Sequence, residues 1–346
     1  MKIGKFLQAS RIAAKLIKYK FNRQRFPLIA NILLTNRCNL KCTYCYPQVF
    51  KRSLKDVGLD RWIGVIDELY TMGTEIIVLL GGEPLLYNQI DEVINHIKQY
   101  GMLCELVTNG YFVEKRIDAI KKLDSICLSL DGDEATNDRN RGEGSFRQAV
   151  TAIEMLKDSG IKTRIKAVVT PDNIESLDYL CRFASEHNLI LTIALPCINQ
   201  ALKNSKDLKI STSQIRQLIK NIIKYKQAGY SIGYTLTCLN YVLKWPYDYY
   251  QWIKRPAQGD IQSILPCIKN DLSCYIDADG MMYHCAILWS NQQAKNIFEV
   301  GVKQAWQSLK QKPCYACGYI SEVELNLLLS LSLRNIAESL LYFLKN

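Results

Sequence analysis

"TNRCNLKCTYCY", residues 35–46, places Cys38, Cys42 and Cys45 within eight residues at Cys-x3-Cys-x2-Cys spacing. It runs straight on from "LIANILLT" (28–35), an apolar stretch suited to a buried strand. Neither a fourth cysteine nor a histidine lies near, although a closed structural zinc site takes four ligands. The fold can be read outward from this junction of strand and cysteine loop.

Further apolar runs follow at "EIIVLL" (75–80), "LCELVT" (103–108), "SICLSL" (125–130), "IKTRIKAVVT" (161–170) and "LILTIAL" (189–195). Helical patterns lie between them, including "LDRWIGVIDELYTMG" (59–73), "IDEVINHIKQYG" (90–101) and "SFRQAVTAIEMLKDSG" (145–160). Strand alternating with helix predicts an α/β fold on a parallel sheet, open or curled towards a barrel. Ligands of such sheets sit at the carboxyl ends of the strands, which is where the cysteine loop begins. With 346 residues, 48% of them hydrophobic, the chain can bury a large core and carry a smaller domain. The alternation fades past residue 196, and a boundary is expected near 200–230.

Thirteen cysteines are many for such a chain. The basic N-terminal residues lack a compact apolar run and a small-residue cleavage site, so export and disulfide pairing are not expected. The clustered cysteines then read as metal ligands. Three thiolates on a four-iron cluster leave one iron open to a small molecule; a zinc site closed by a distant cysteine is the alternative. Three more strand ends carry ligand-like groups. "GGEP" holds Gly81, Gly82, Glu83 and Pro84, with glycines that permit close backbone approach and a carboxylate for an ammonium group. "TNG" (108–110) brings Asn109. "SLDG" (129–132) brings Ser129 and Asp131, a hydroxyl and a carboxylate for a ribose.

In this order the motifs resemble those of the radical S-adenosylmethionine superfamily, over about residues 28–200. "CNLKCTYC" matches its cluster motif, with Tyr44 as the aromatic before the third cysteine. "GGEP", "SLDG" and "RNRGEGSF" (139–146, with Arg141) match its cofactor-contacting segments. The resemblance implies a partial (β/α)6 barrel with a [4Fe-4S] cluster on Cys38, Cys42 and Cys45, whose open iron chelates S-adenosylmethionine. It further implies reductive cleavage to a 5′-deoxyadenosyl radical, hydrogen abstraction, and a low-potential electron donor such as a flavodoxin or ferredoxin. Only His96, His187 and His284 are present, so imidazole-based catalysis is not the evident alternative.

A second cysteine set lies at Cys267, Cys274, Cys285, Cys314 and Cys317. A Cys-x2-Cys pair plus two ligands from a hairpin turned at "DADG" (277–280) makes a four-thiolate cage, for a zinc ribbon or an iron–sulfur cluster. The pattern resembles the SPASM and twitch domains of the same superfamily. No cysteine follows Cys317, so the single-cluster twitch form fits better and implies a second [4Fe-4S] cluster on Cys267, Cys285, Cys314 and Cys317. Cys274 is expected to be a buried thiol. Cys104, Cys127 and Cys181 are expected in the core, as are Cys197 and Cys238 in preference to a cavity wall.

The net charge is +11, and residues 1–26 hold eight basic residues and no acid. The basicity belongs to one arm, and no nucleic-acid partner is expected. On a helical projection Ile3, Phe6, Leu7, Ala13, Ile17 and Phe21 share one face; Arg11, Lys15 and Lys18 share another. Two readings are open: an interfacial helix on an anionic membrane surface, or a helix packed on the barrel with a solvated basic face. The leucine-rich end carries Arg334 and Glu338, which argue against a spanning helix. The expected organisation is an arm (1–26), a catalytic core (27–228), an auxiliary-cluster domain (229–320) and a C-terminal helix (321–346). The expected location is the cytoplasm, with the arm offering a peripheral contact to the inner membrane face. The substrate is read as a peptide or small molecule; a membrane lipid or lipid-linked precursor is the alternative. A non-catalytic iron–sulfur or zinc protein would have no need of "GGEP" and "SLDG".

Overall fold

The computed structural model describes residues 2–198, 207–260, 263–289, 294–309 and 314–330. Six strands run parallel in chain order: β1 (Ile29–Leu33), β2 (Ile76–Leu80), β3 (Leu103–Thr108), β4 (Ser125–Ser129), β5 (Lys162–Val168) and β6 (Ile190–Ala194). Each lies within a run singled out by sequence. Helices α2 (Leu59–Thr71), α3 (Ile90–Gln99), α4 (Ile117–Ile120), α5 (Glu134–Arg141), α6 (Ser145–Leu156) and α7 (Leu177–Glu186) fall between them, after the N-terminal α1 (Lys2–Asn22).

The burial of the strands alternates. In β2, Ile77 and Leu79 are fully buried, while Ile76, Val78 and Leu80 are half-buried; β3 and β6 alternate likewise. Parallel strands covered on both faces read as unbroken apolar runs. Here only the helix-covered face does so. The inner face carries Asn31, Glu105, Ser129, Arg164, Lys166 and Thr192, of which Ser129, Lys166 and Thr192 lie in one register across β4–β6; apolar clusters on the same face gather at Ile29, Ile76 and Val78 and at Leu33 and Leu80, so the interior is polar in part.

Beyond the expected boundary the chain continues through α8 (Thr212–Gln227), α9 (Leu236–Leu243) and β7 (Trp252–Ile253). It then returns to the sheet: α10 (Lys269–Leu272) leads into β8 (Ser273–Ile276), which pairs in parallel with β1. Antiparallel β9 (Met281–Tyr283) and β10 (Lys295–Asn296) complete the order β10-β9-β8-β1-β2-β3-β4-β5-β6. The cysteine-rich region is thus continuous with the main sheet. The "DADG" turn forms as expected, with Gly280 at φ +89°; a Cβ there would stand 2.4 Å from the Phe298 ring. Next come α11 (Ile297–Val300), α12 (Val302–Ser308), β11 (Ala316–Cys317), paired with β7, and α13 (Ile320–Leu329).

Helix α1 closes the amino-terminal end of the sheet, opposite the cysteine loop. Leu16 and Tyr19 pack on Leu28, Ile29, Leu272 and Leu329, and the Tyr19 hydroxyl donates to Asp271 at 2.6 Å. Arg11 and Lys15 reach Glu75 at 2.9 and 2.6 Å. The helix is packed on the fold, as one sequence reading had it, but its basic face is not simply solvated: Arg11 and Lys15 turn inward, towards a nearly buried carboxylate, while Ile17 and Phe21 are exposed. Their long stems cross the protein surface and deliver the charge to Glu75. Among the described residues no helix is long and apolar enough to cross a membrane. Arg334 and Glu338 lie outside the described residues.

Candidate functional site

The cysteine loop leaves β1 and is clamped at once by the turn after β2. Gly82 N–H donates to the Thr35 carbonyl at 2.7 Å and Glu83 N–H to that of Arg37 at 2.8 Å. A Cβ on Gly82 would lie 2.4 Å from the Arg37 oxygen, so only glycine fits. The sequence reading reserved this close approach for a ligand; the structure gives it to the loop that carries Cys38. Pro84 opens a short 3-10 turn directly afterwards.

Glu83 is buried, and its carboxylate accepts from Asn109 N–H at 2.8 Å, Thr108 Oγ1 at 2.7 Å and Leu85 N–H at 3.1 Å. Burial still pushes its pKa up to about 7 despite these donors. "GGEP" and "TNG" therefore meet at one carboxylate. Thr108, which sequence reasoning did not assign, is part of that junction. Asn109 also donates to Asn39 at 2.9 Å, back in the cysteine loop.

Asp131 holds the other side. It is fully buried, and Arg141 engages it with Nε at 2.8 Å and an Nη at 3.2 Å. Val168 N–H donates to it at 3.0 Å, and the Tyr44 hydroxyl also donates to it. Burial keeps the Tyr44 phenol well above its ordinary pKa, hence a donor. The Arg141 guanidinium sits 5.4 Å from the Tyr44 ring centre. Sequence reasoning placed Asp131, Arg141 and Tyr44 among cofactor contacts. Here both Asp131 oxygens are taken internally, leaving no acceptor for a ribose. Among the described residues the Ser129 hydroxyl, on the inner face, makes no hydrogen bond, and Gly81 packs against Thr35.

Cys38, Cys42 and Cys45 are half-buried, and each stands in the electrostatic field of at least one of the others. Burial raises all three thiols, Cys38 to about 12, so thiolates here call for cationic charge among them. Among the described residues no three His, Cys, Asp or Glu side chains converge closely enough to hold one metal ion. A tetrahedral zinc would draw its sulfurs to about 3.8 Å from each other.

Cys267, Cys285, Cys314 and Cys317 form a second such group. Cys285 senses Cys267 and Cys314, and Cys317 senses Cys267 and Cys285; burial raises every one of them. Cys267 N–H donates to the Tyr315 carbonyl at 2.7 Å, tying Cys267 to the Cys-x2-Cys pair. Buried Lys269 pairs with Glu322 at 2.5 Å beside them. Cys274 is fully buried, as are Cys104 and Cys238, and Cys127 and Cys181 are nearly so. Cys197 is half-buried on the rim past β6, near Cys285.

Parallel strands carry a three-thiol loop after the first and a glycine clamp after the second, and residues 32–184 match the radical SAM superfamily. Members use a [4Fe-4S] cluster and S-adenosylmethionine. The chain is 24% identical over 312 residues to the Fe-coproporphyrin III synthase of Methanosarcina barkeri, covering 85% of this chain and 76% of that one. It is 30% identical over 172 residues to mycofactocin maturase MftC of Mycolicibacterium smegmatis, covering 48% and 44%. The fold is similar to that of Streptococcus suis SuiB bound to its precursor peptide SuiA, with a TM-score of 0.66 at 20% identity over 87% of this chain and 69% of that one.

Proposed function

We propose that Cys38, Cys42 and Cys45 ligate the [4Fe-4S] cluster and that the enzyme abstracts hydrogen from a peptide. The reading rests on one arrangement: three neighbouring thiols at the carboxyl end of β1, locked by Gly82 to a turn that presents a buried carboxylate. Bound there, the cluster and S-adenosylmethionine supply one-electron cleavage of a sulfonium carbon–sulfur bond and a 5′-deoxyadenosyl radical that takes hydrogen from carbon. Glu83 offers its remaining lone pairs to an ammonium group, and Ser129 a free hydroxyl. Asp131 fixes Tyr44 and Arg141, so the loop keeps its shape when the cofactor enters. The inner face holds the substrate away from bulk water.

The peptide reading draws on the maturase relatives and on the fold of a peptide-binding neighbour. A carboxylated small molecule is the second reading, favoured by the broad alignment with Fe-coproporphyrin III synthase. The lipid reading has lost its main support, because Arg11 and Lys15 are committed to Glu75. Cys267, Cys285, Cys314 and Cys317 are proposed to hold an auxiliary cluster of the twitch type, in a module of residues 229–320. A flavodoxin- or ferredoxin-like donor completes the scheme.

The test is anaerobic reconstitution, reduction with dithionite and assay of 5′-deoxyadenosine. The wild-type chain forms it, and Cys42→Ala does not, having lost one of three ligands. Equal cleavage by the variant refutes the ligand assignment.

A further inference from the structure

The inner face of β5 carries a cation that no described residue neutralises. Ile165 and Ala167 are fully buried under the helices, which turns Lys166 to the interior, where it is half-buried. It stands in register with Ser129 on β4 and Thr192 on β6, at the level of the site. Two residues earlier, Arg164 is paired with Glu105, which also accepts from Ser125 at 2.9 Å. Asp131, two residues beyond the register-paired Ser129, is saturated by Arg141, Tyr44 and Val168. Among the described residues Lys166 makes no side-chain hydrogen bond and no ion pair. A partly desolvated ammonium gains most from an anion that arrives with its own desolvation offset by the pairing. A carboxylate meets that need, and the free Ser129 hydroxyl beside it adds a second donor.

We propose that Lys166 receives a carboxylate of the substrate inside the barrel, fixing which carbon faces the radical source. The inference rests on the radical enzyme reading above. The methionyl carboxylate of S-adenosylmethionine has a partner in that reading, the open iron, so the anion at Lys166 is the substrate's own. A peptide side chain or C-terminus would supply it, and so would a propionate on a small molecule.

Reconstituted full-length protein with S-adenosylmethionine is tested by equilibrium dialysis in two arms. One compares an octapeptide library with the same library amidated at its C-terminus and carrying Asn and Gln for Asp and Glu. The other compares iron coproporphyrin III with its tetramethyl ester. In one arm the free acids bind the wild type at least ~10-fold tighter than the blocked forms. Lys166→Met brings that ratio near one, and Lys166→Arg retains it; the arm that responds names the source. No preference in either arm overturns the proposal, as does a preference that survives in Lys166→Met. Loss of S-adenosylmethionine affinity in Lys166→Met with the preference intact assigns the lysine to the cofactor instead. Failure of the enzyme reading shows separately, as wild-type protein that forms no 5′-deoxyadenosine.

Discussion

The phenol of Tyr44 donates to the carboxylate of Asp131, 87 residues away in sequence, and so ties the three-cysteine loop to the end of β4. Arg141 completes the link from α5, bonding the same carboxylate and lying against the Tyr44 ring. A loop proposed to present three sulfurs to one cluster cannot be left to its own conformational freedom, and this buried triad holds it.

Asp131→Asn should therefore destabilise the protein by about 3–5 kcal/mol, because it leaves the buried Arg141 guanidinium unpaired. Urea unfolding of the metal-free protein measures it. Iron bound by Cys38, Cys42 and Cys45 should fall in parallel, since Tyr44 lies between two of those ligands. A variant with wild-type stability and iron content would show that the triad does not hold the loop.

Glu83 makes the stability of the metal-free protein pH-dependent. Its folded pKa of about 7 lies above the ordinary 4.5, chiefly through burial. The folded state therefore keeps a proton that the unfolded chain gives up between those values. Below about pH 4.5 nothing is lost; as pH rises to about 7 the wild type loses up to roughly 3 kcal/mol relative to Glu83→Gln. Unfolding both proteins across pH 4.5–7.5 gives the difference. A difference that is flat, or that grows in favour of the wild type with pH, contradicts the assignment.

The strands and the edge at which the site forms were legible from sequence. "LCELVT" reads as a strand, and residues 103–108 form β3 from end to end. The roles of polar residues within the site were not. "SLDG" places Asp131 at the rim, but whether its carboxylate faces a ligand depends on Arg141 and on Val168, 37 residues onward, which local pattern does not encode. The return of β8 to pair with β1 was hidden for the same reason: parallel pairing joins Ile29 to Ser273, and their registry depends on everything between. Lys166 did leave a signal. "IKTRIKAVVT" alternates cations with apolar residues, a pattern expected of a strand facing a polar interior on one side.

Iron content separates the two cysteine groups. Fully loaded protein should hold about eight irons per chain, and the Cys38→Ala/Cys42→Ala/Cys45→Ala variant about four. The half that remains would sit on Cys267, Cys285, Cys314 and Cys317, whose thiols share one another's field without the three-cysteine loop. A triple variant that takes up zinc and no iron would make the second site a zinc ribbon.

Adjacent residues on α1 distinguish a packed helix from a membrane arm. Leu16 is buried against Leu28, Ile29, Leu272 and Leu329, whereas Ile17 is 49% exposed. Leu16→Ala should cost about 2–5 kcal/mol in urea unfolding, through lost burial and the cavity left behind. Ile17→Ala should change stability by less than about 0.5 kcal/mol, as an exposed substitution does. Deleting residues 1–26 should destabilise the protein further, since it uncovers the same apolar patch and strips Glu75 of both its cations. A free membrane arm predicts the reverse: stability indifferent to Leu16 and to the deletion, with Ile17→Ala weakening sedimentation with anionic vesicles. Measuring unfolding and vesicle sedimentation on the same three variants decides between them, because each account requires a loss where the other requires none.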